Sequence, residues 1–245
     1  MELSIIIPTL NEEKLLPFLL ERIKSENLDL EIIVADAGSS DKTQRIAEDY
    51  GARVVSGGLP AEGRNSGAKF ASGEILFFLD ADVFFQRGSL KKILQEFKER
   101  KYVCASFGIY PQEKNFFINK ITMNMFYNFP QRALRKIMPL GAMGIIVKKE
   151  IFEKVGGFDE SVKLAEDHHF VKRASKLGRY GILKSSKIYM PLRRFRQDGY
   201  IKTFLKYAVC CLLLYTKGPI RKDIINYNFD HYNYVNIQSS RKKKR

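Results

Sequence analysis

Two aspartates separated by one residue, Asp80-Ala81-Asp82, close the apolar run Glu74-Ile75-Leu76-Phe77-Phe78-Leu79. In a strand, positions i and i+2 face the same way, so the two carboxylates can share one ligand. Two negative charges this close repel unless a cation lies between them. Hard carboxylate oxygens suit Mg²⁺ or Mn²⁺, and Mg²⁺ is commonly held by one or two carboxylates together with substrate phosphates. Three more polar groups follow the ends of apolar runs: Thr9 and Asn11 after Ile5-Ile6-Ile7-Pro8, and Asp36 after Glu31-Ile32-Ile33-Val34-Ala35. A further acid, Asp167, follows Glu166 at the start of a helical pattern that reaches Leu177.

The elements that must position these groups alternate in type. Apolar runs at 4–8, 31–35, 53–55 and 74–79 are read as strands, and Asn11–Lys24, Asp41–Tyr50 and Ser89–Arg100 as helices, with Gly51 past the end of the second. Continuous apolar strands separated by helices give a parallel sheet covered on both faces, hence an α/β fold. Ligands in such sheets bind at the carboxyl ends of the strands, so Thr9, Asn11, Asp36, Asp80 and Asp82 are expected in one crevice. The aromatic and Met-rich stretch from Asn115 to Pro139 reads as helical, either as core packing or as an apolar wall beside an acceptor site.

Two nucleotide chemistries are excluded by what is missing. No Gly-Lys dipeptide occurs, so a P-loop is absent, and G-x-G-x-x-G does not follow the first strand. The motifs that are present resemble family 2 glycosyltransferases of the GT-A fold. They run Ile5-Ile6-Ile7-Pro8-Thr9-Leu10-Asn11-Glu12, Val34-Ala35-Asp36-Ala37-Gly38-Ser39-Ser40-Asp41-Lys42-Thr43, Gly63-Arg64-Asn65-Ser66-Gly67, the D-x-D, Gly156-Gly157-Phe158-Asp159-Glu160 and Glu166-Asp167.

The resemblance implies a Rossmann-like mixed sheet flanked by helices over residues 1–195 and transfer of a sugar from a UDP- or GDP-sugar. It implies a nucleoside pocket of Pro8, Thr9, Asn11, Glu12, Asp36, Gly38 and Ser39, with Asp36 accepting from the base. Arg64 would approach the diphosphate or ribose, Asp82 assisted by Asp80 would hold Mn²⁺ or Mg²⁺, and Asp167 would be the base of an inverting reaction. Gly141, Glu166 and Arg194 are candidates for the acceptor or its phosphates. The Q-x-x-R-W motif of processive members is missing, and the chain contains no Trp.

Plainer roles stand beside several of these. Asp36 can cap the turn Gly38-Ser39-Ser40, and Asp41 can serve as a helix cap. Arg64 can be a solvated cation, and Asp167 can sit at a helix N-terminus for the macrodipole alone. His168 and His169 are read as edge histidines, with a third metal ligand as the alternative.

Charge divides the chain. Residues 1–167 carry 23 basic and 24 acidic side chains, whereas 168–245 carry 19 and 3, so the net +15 lies wholly in the last third. Thr203 to Thr216 is apolar but too short for a span, and cations flank it. It is read as a helical extension, 196–230, that lies on an anionic membrane, packs on the domain or forms a dimer interface. A basic tail, 231–245, is expected to be solvated and without fixed structure. Cys104, Cys210 and Cys211 form no C-x-x-C pair, and no basic n-region precedes the first strand. A cytoplasmic setting, peripheral on the membrane face, is therefore expected. The expected partners are a nucleotide-sugar donor and a saccharide or lipid-linked acceptor. The rival readings are a nucleic-acid-binding module using the basic third, for which no motif is found, and an inactive nucleotide-sugar-binding homologue.

Overall fold

The computed structural model describes residues 1–112, 121–141, 144–191 and 199–222. Seven strands form one sheet: β1 (Leu3–Thr9), β2 (Leu30–Asp36), β3 (Arg53–Ser56), β4 (Ile75–Leu79), β5 (Cys104–Pro111), β6 (Gly144–Lys148) and β7 (Tyr180–Met190). Their order is β3-β2-β1-β4-β6-β5-β7. The first four pair in parallel, as the apolar runs require. Strand β6 is antiparallel to both β4 and β5, and β5 and β7 pair in parallel, so the sheet is mixed. Six carboxyl ends therefore share one edge, and the strand order reverses between β1 and β4, where α/β sheets open a ligand crevice.

Alternate residues of one strand serve opposite faces. Ile5 and Ile7 point to one core with Val34, Phe77 and Leu79, under α1 (Leu16–Lys24), α2 (Thr43–Asp49) and α4 (Ser89–Glu99). Ile6 points to the other with Ile33, Leu76 and Phe78, under α3 (Pro60–Lys69), α6 (Lys149–Lys154) and α7 (Glu166–Ala174). Helix α1 starts at Leu16 instead of the expected Asn11, because Pro17 fixes the first turn and residues 12–15 form a turn ahead of it. Helix α2 likewise starts two residues late, and Gly51 past its end has the expected left-handed backbone, with φ of 69°.

Of the stretch expected to be helical between 115 and 139, residues 121–134 are helical and 135–138 form a turn. Residues 121–123 lead into a π-turn, Asn124–Asn128, and then α5 (Phe129–Leu134). Pro130 has no N–H to bond back, and the helix widens just before it. The side-chain amide of Asn128 donates to the Ile109 carbonyl and accepts from its N–H, both at 2.8 Å, which docks this segment on β5. Helix α8 (Tyr200–Thr216) closes the described chain. Its inner residues join Leu164 and Ile220 around Cys210, so α8 packs on the domain, while 196–198 and 223–230 of the expected extension and the tail 231–245 lie outside the described residues.

An aromatic cluster ties the site-bearing elements to the sheet. The ring of Phe78 lies 5.1 Å from Phe158 and 5.5 Å from Phe152, and Phe158 stacks on Phe170 of α7 at 4.2 Å. Phe78→Ala is expected to lower stability by about 3–5 kcal/mol. A fall in the urea midpoint with an unchanged slope is the readout.

Candidate active site

The carboxyl edge carries two linked groups of side chains. The first joins the ends of β1 and β2. Asp36 is buried and its carboxylate is filled: Oδ1 accepts from the N–H groups of Gly38 (3.0 Å) and Ser39 (2.9 Å) and from Gln44 (2.6 Å), while Oδ2 accepts from the hydroxyls of Thr9 (3.2 Å) and Ser39 (2.5 Å). Asn11 has a left-handed backbone, φ 55°, which Asn tolerates better than most residues. Its Oδ1 accepts from the Ser40 N–H at 2.9 Å and its own N–H donates to Ser39 Oγ at 2.8 Å. The Glu12 N–H donates to Thr43 Oγ1 at 2.8 Å, and Glu12 is buried. Asp41 accepts from the N–H groups of Thr43 (2.9 Å) and Glu13 (3.1 Å), so it caps the start of α2 and fastens the β1 loop to it. Pro8, Thr9, Asn11, Glu12, Asp36, Gly38 and Ser39 thus lie on two loops locked together.

The second group joins α3, β4 and α7. Arg64 is 7% exposed, and its guanidinium donates to Asp80 at 2.9 Å and to Glu166 at 2.8 Å. The fork expected to meet a diphosphate is engaged by two carboxylates. Burial opposes a charge on Arg64, but Asp80, Glu166 and Asp167 hold its proton firmly. Helix α3 can bring Arg64 here because its glycines allow close approach: a Cβ on Gly67 would lie 2.4 Å from Ile6 Cγ2, and one on Gly63 would lie 3.2 Å from the Pro8 side chain. The next residue, Asn65, donates to the Phe158 carbonyl and accepts from the Phe158 N–H, both at 2.8 Å. That pairing needs Gly157, where a Cβ would lie 2.6 Å from Asn65 Oδ1.

Asp80 is pushed up to about 6 by its desolvation and by the charges of Asp82 and Asp167, against the pull of Arg64. A divalent cation shared by Asp80 and Asp82 would offset their mutual repulsion. Among the described residues no group of three or more His, Cys, Asp or Glu could hold a metal. The arrangement therefore fits an ion taken by Asp80 and Asp82 with the remaining positions left to substrate oxygens. His169 does not join them, since its ring faces Asp159 at 4.0 Å.

Asp167 sits one residue into α7, preceded by Ala165 with a left-handed backbone, φ 57°. A non-glycine residue there is strained, as at many functional sites. Asp167 Oδ1 accepts from the ring Nδ1 of His168 at 2.8 Å and from its N–H at 2.7 Å. Burial raises the carboxyl, yet His168 and Arg64 outweigh it and leave Asp167 below the usual carboxylate range, while His168 keeps its proton well above the ordinary value. Asp167 is thus ionised at neutral pH.

Sequence reasoning missed a set of tyrosines. The hydroxyls of Tyr215, Tyr180 and Tyr127 donate to the successive carbonyls of Pro139 (2.7 Å), Leu140 (2.7 Å) and Gly141 (2.8 Å). Burial raises all three phenols, so they stay donors. They come from α8, β7 and the π-turn, and no spacing in the sequence links them. The clamped Gly141 lies against the acid: a Cβ there would be 2.7 Å from the Asp167 carbonyl carbon. Arg194 lies outside the described residues.

Two outcomes are expected. Gly141→Ala should displace Asp167 and lower stability by about 1–3 kcal/mol, read as a fall in the urea midpoint. Because Asp80 takes a proton as pH falls through about 6, a cation must displace that proton below this value. Mn²⁺ affinity by calorimetry should drop about tenfold per pH unit there.

Comparisons with known proteins agree with the motifs. The glycosyl transferase family 2 model matches residues 4–156. A 4,4'-diaponeurosporenoate glycosyltransferase of Staphylococcus haemolyticus is 34% identical over 110 residues, 41% of this chain and 29% of that protein. The chain thus spans less than a third of that relative. S. aureus TarS 1-349 in complex with UDP-GlcNAc superposes with a TM-score of 0.63 at 23% identity, over 79% of this chain and 59% of that one. The Pyrobaculum calidifontis mannosyltransferase PcManGT, in complex with GDP-Man and Mn²⁺, gives 0.66 at 21% identity over 89% and 69%. Such identities show a shared GT-A fold. The motifs along one sheet edge and the family match over more than half of the sequence together mean that the chain belongs to glycosyl transferase family 2.

Proposed function

We propose that the chain transfers a sugar from a UDP- or GDP-sugar to an acceptor hydroxyl or phosphate, with inversion at the anomeric carbon. The observation that carries this reading is the ionised Asp167 beside Glu166, which Arg64 joins to Asp80, on the sheet edge that also carries the linked β1 and β2 loops. The complexes of TarS with UDP-GlcNAc and of PcManGT with GDP-Man and Mn²⁺ support a nucleotide-sugar donor and a divalent ion.

In this reading the loops carrying Pro8, Thr9, Asn11, Glu12, Gly38 and Ser39 receive the nucleoside. Asp36 meets the base only when one of its five donors gives way, and the Thr9 and Ser39 hydroxyls can do so by rotating. Asp82 and Asp80 would hold Mn²⁺ or Mg²⁺. Bound there, such an ion offsets the charge that grows on the departing diphosphate. Arg64 fixes the separation of Asp80 from α7 and acts as a positioning residue. Asp167 takes the proton of an acceptor hydroxyl as its oxygen attacks. Attack from the side opposite the leaving group inverts the configuration. His168 holds Asp167 ionised before that step, and Gly141 and Glu166 border the acceptor. The basic last third, with Arg194, suits acceptor phosphates, and a saccharide or lipid-linked acceptor on the cytoplasmic face of a membrane fits its charge.

Asp167→Asn should abolish transfer and leave donor affinity within about threefold, since the change removes a base and keeps the shape. Asp82→Ala should lose metal-dependent donor binding and turnover together. A screen of UDP- and GDP-sugars with Mn²⁺ or Mg²⁺ reads both, and full activity in either variant refutes the assignment.

A further inference from the structure

Helix α8 is apolar on both sides. Its inner face, with Thr203, Cys210 and Leu214, is buried on the domain. Its outer face presents Leu205, Val209 and Leu212 at 61%, 42% and 61% exposure. A surface helix of a water-soluble domain normally turns a polar face outward, so an apolar outer face calls for a second apolar environment. The same holds next door: Phe126, Phe129 and Ile137 are 59%, 67% and 77% exposed. The ring of Phe126 lies 5.2 Å from Phe204 of α8, so the two stretches adjoin. Both rest on one small core at the ends of β5 and β7, made of Ile109, Met123 and Met190.

Charge selects the occupant. Neither 121–141 nor 199–222 contains an Asp or Glu, and together they hold eight Lys and Arg. Lys202 lies on the exposed side of α8, and Arg135 and Lys136 border Ile137. A second copy of this face would bring like charges together, whereas an anionic lipid surface complements them. No helix among the described residues is long and apolar enough to cross a membrane.

We propose that residues 121–137 and α8 form one lipid-docking face that seats the enzyme on an anionic membrane surface beside Asp167. The inner side of α8 places the base there. Tyr215 holds Pro139, two residues before the Gly141 that packs on Asp167, and Lys172 of α7 donates to the Leu214 carbonyl at 3.1 Å. The acceptor is then met in the headgroup layer. This rests on the transferase reading above and names where its acceptor comes from.

Flotation of the full chain with phosphatidylcholine vesicles, with and without phosphatidylglycerol, tests it. The chain should float with the anionic vesicles, and part of the binding should survive salt that screens the basic tail. Leu205→Glu/Leu212→Glu and, separately, Phe129→Glu should each cut partitioning at least about tenfold, with the melting temperature and nucleotide-sugar binding unchanged. Equal flotation of the variants overturns the proposal, as does failure of the parent chain to float. A dimer in light scattering that the Glu variants convert to monomer overturns it in favour of a second copy. Failure of the parent chain to float while donor binding is intact condemns the docking face alone, and flotation of the parent without metal-dependent donor binding condemns the transferase reading.

Discussion

Most of the site's geometry depends on one buried guanidinium. Arg64 leaves α3 on one side of the sheet, reaches the end of β4 at Asp80 and crosses to Glu166 at the head of α7. Glu166 and Asp167 are successive residues, so whatever fixes the first restrains the second. Removing one member of such a buried set leaves an uncompensated charge, which typically costs about 3–5 kcal/mol, whereas exposed pairs such as Arg45 with Asp49 contribute little. The cation also sits over the Phe158 ring at 5.4 Å, so the acidic edge and the aromatic cluster share a neighbour.

The motif Gly63-Arg64-Asn65 is economical for this reason. Gly63 lets α3 approach Pro8, Arg64 joins two carboxylates, and Asn65 satisfies both backbone groups of Phe158. Three consecutive residues thereby set the relation of the β1 loop, the acidic pair and the head of α7. On the far side of Asp167 the tyrosine hydroxyls do a comparable job with neutral groups. Three successive carbonyls outside any strand would be poorly paired if buried, and three phenols from distant elements satisfy them. Asp167 is therefore confined between an ionic joint and a hydrogen-bonded clamp.

The first half of the sheet was legible because its strands are buried on both faces and read as unbroken apolar runs. The second half was not. Strand β7 shows exposed Lys184, Ser185 and Lys187 among buried residues, and β6 is only five residues long and opens on a glycine, so neither stands out from its surroundings. The antiparallel insertion of β6 leaves no local trace at all, since direction is a property of pairs. Asp36, Asp80 and Asp82 stand out as acids that close apolar runs, whereas Asp167, at a helix start where acids are common, is marked only by the motifs around it. The engagement of Arg64 by two carboxylates was not legible, because a lone Arg in a helix looks the same whether it faces water or two acids.

By itself, then, the sequence determined the first four strands and helices α1, α2 and α4, the family and the acids at the strand ends, since these follow from periodicity and from motifs within ten residues. Only the tertiary structure decided who neutralises whom. Arg64 meets Glu166 across 102 positions of chain, and Tyr215 meets Pro139 across 76. It also decided that α8 is apolar outward as well as inward, because exposure depends on what packs nearby and a largely apolar stretch has no inside of its own. Pair energies and burial depend on separations in space, and chain spacing reports those only within a turn or a strand.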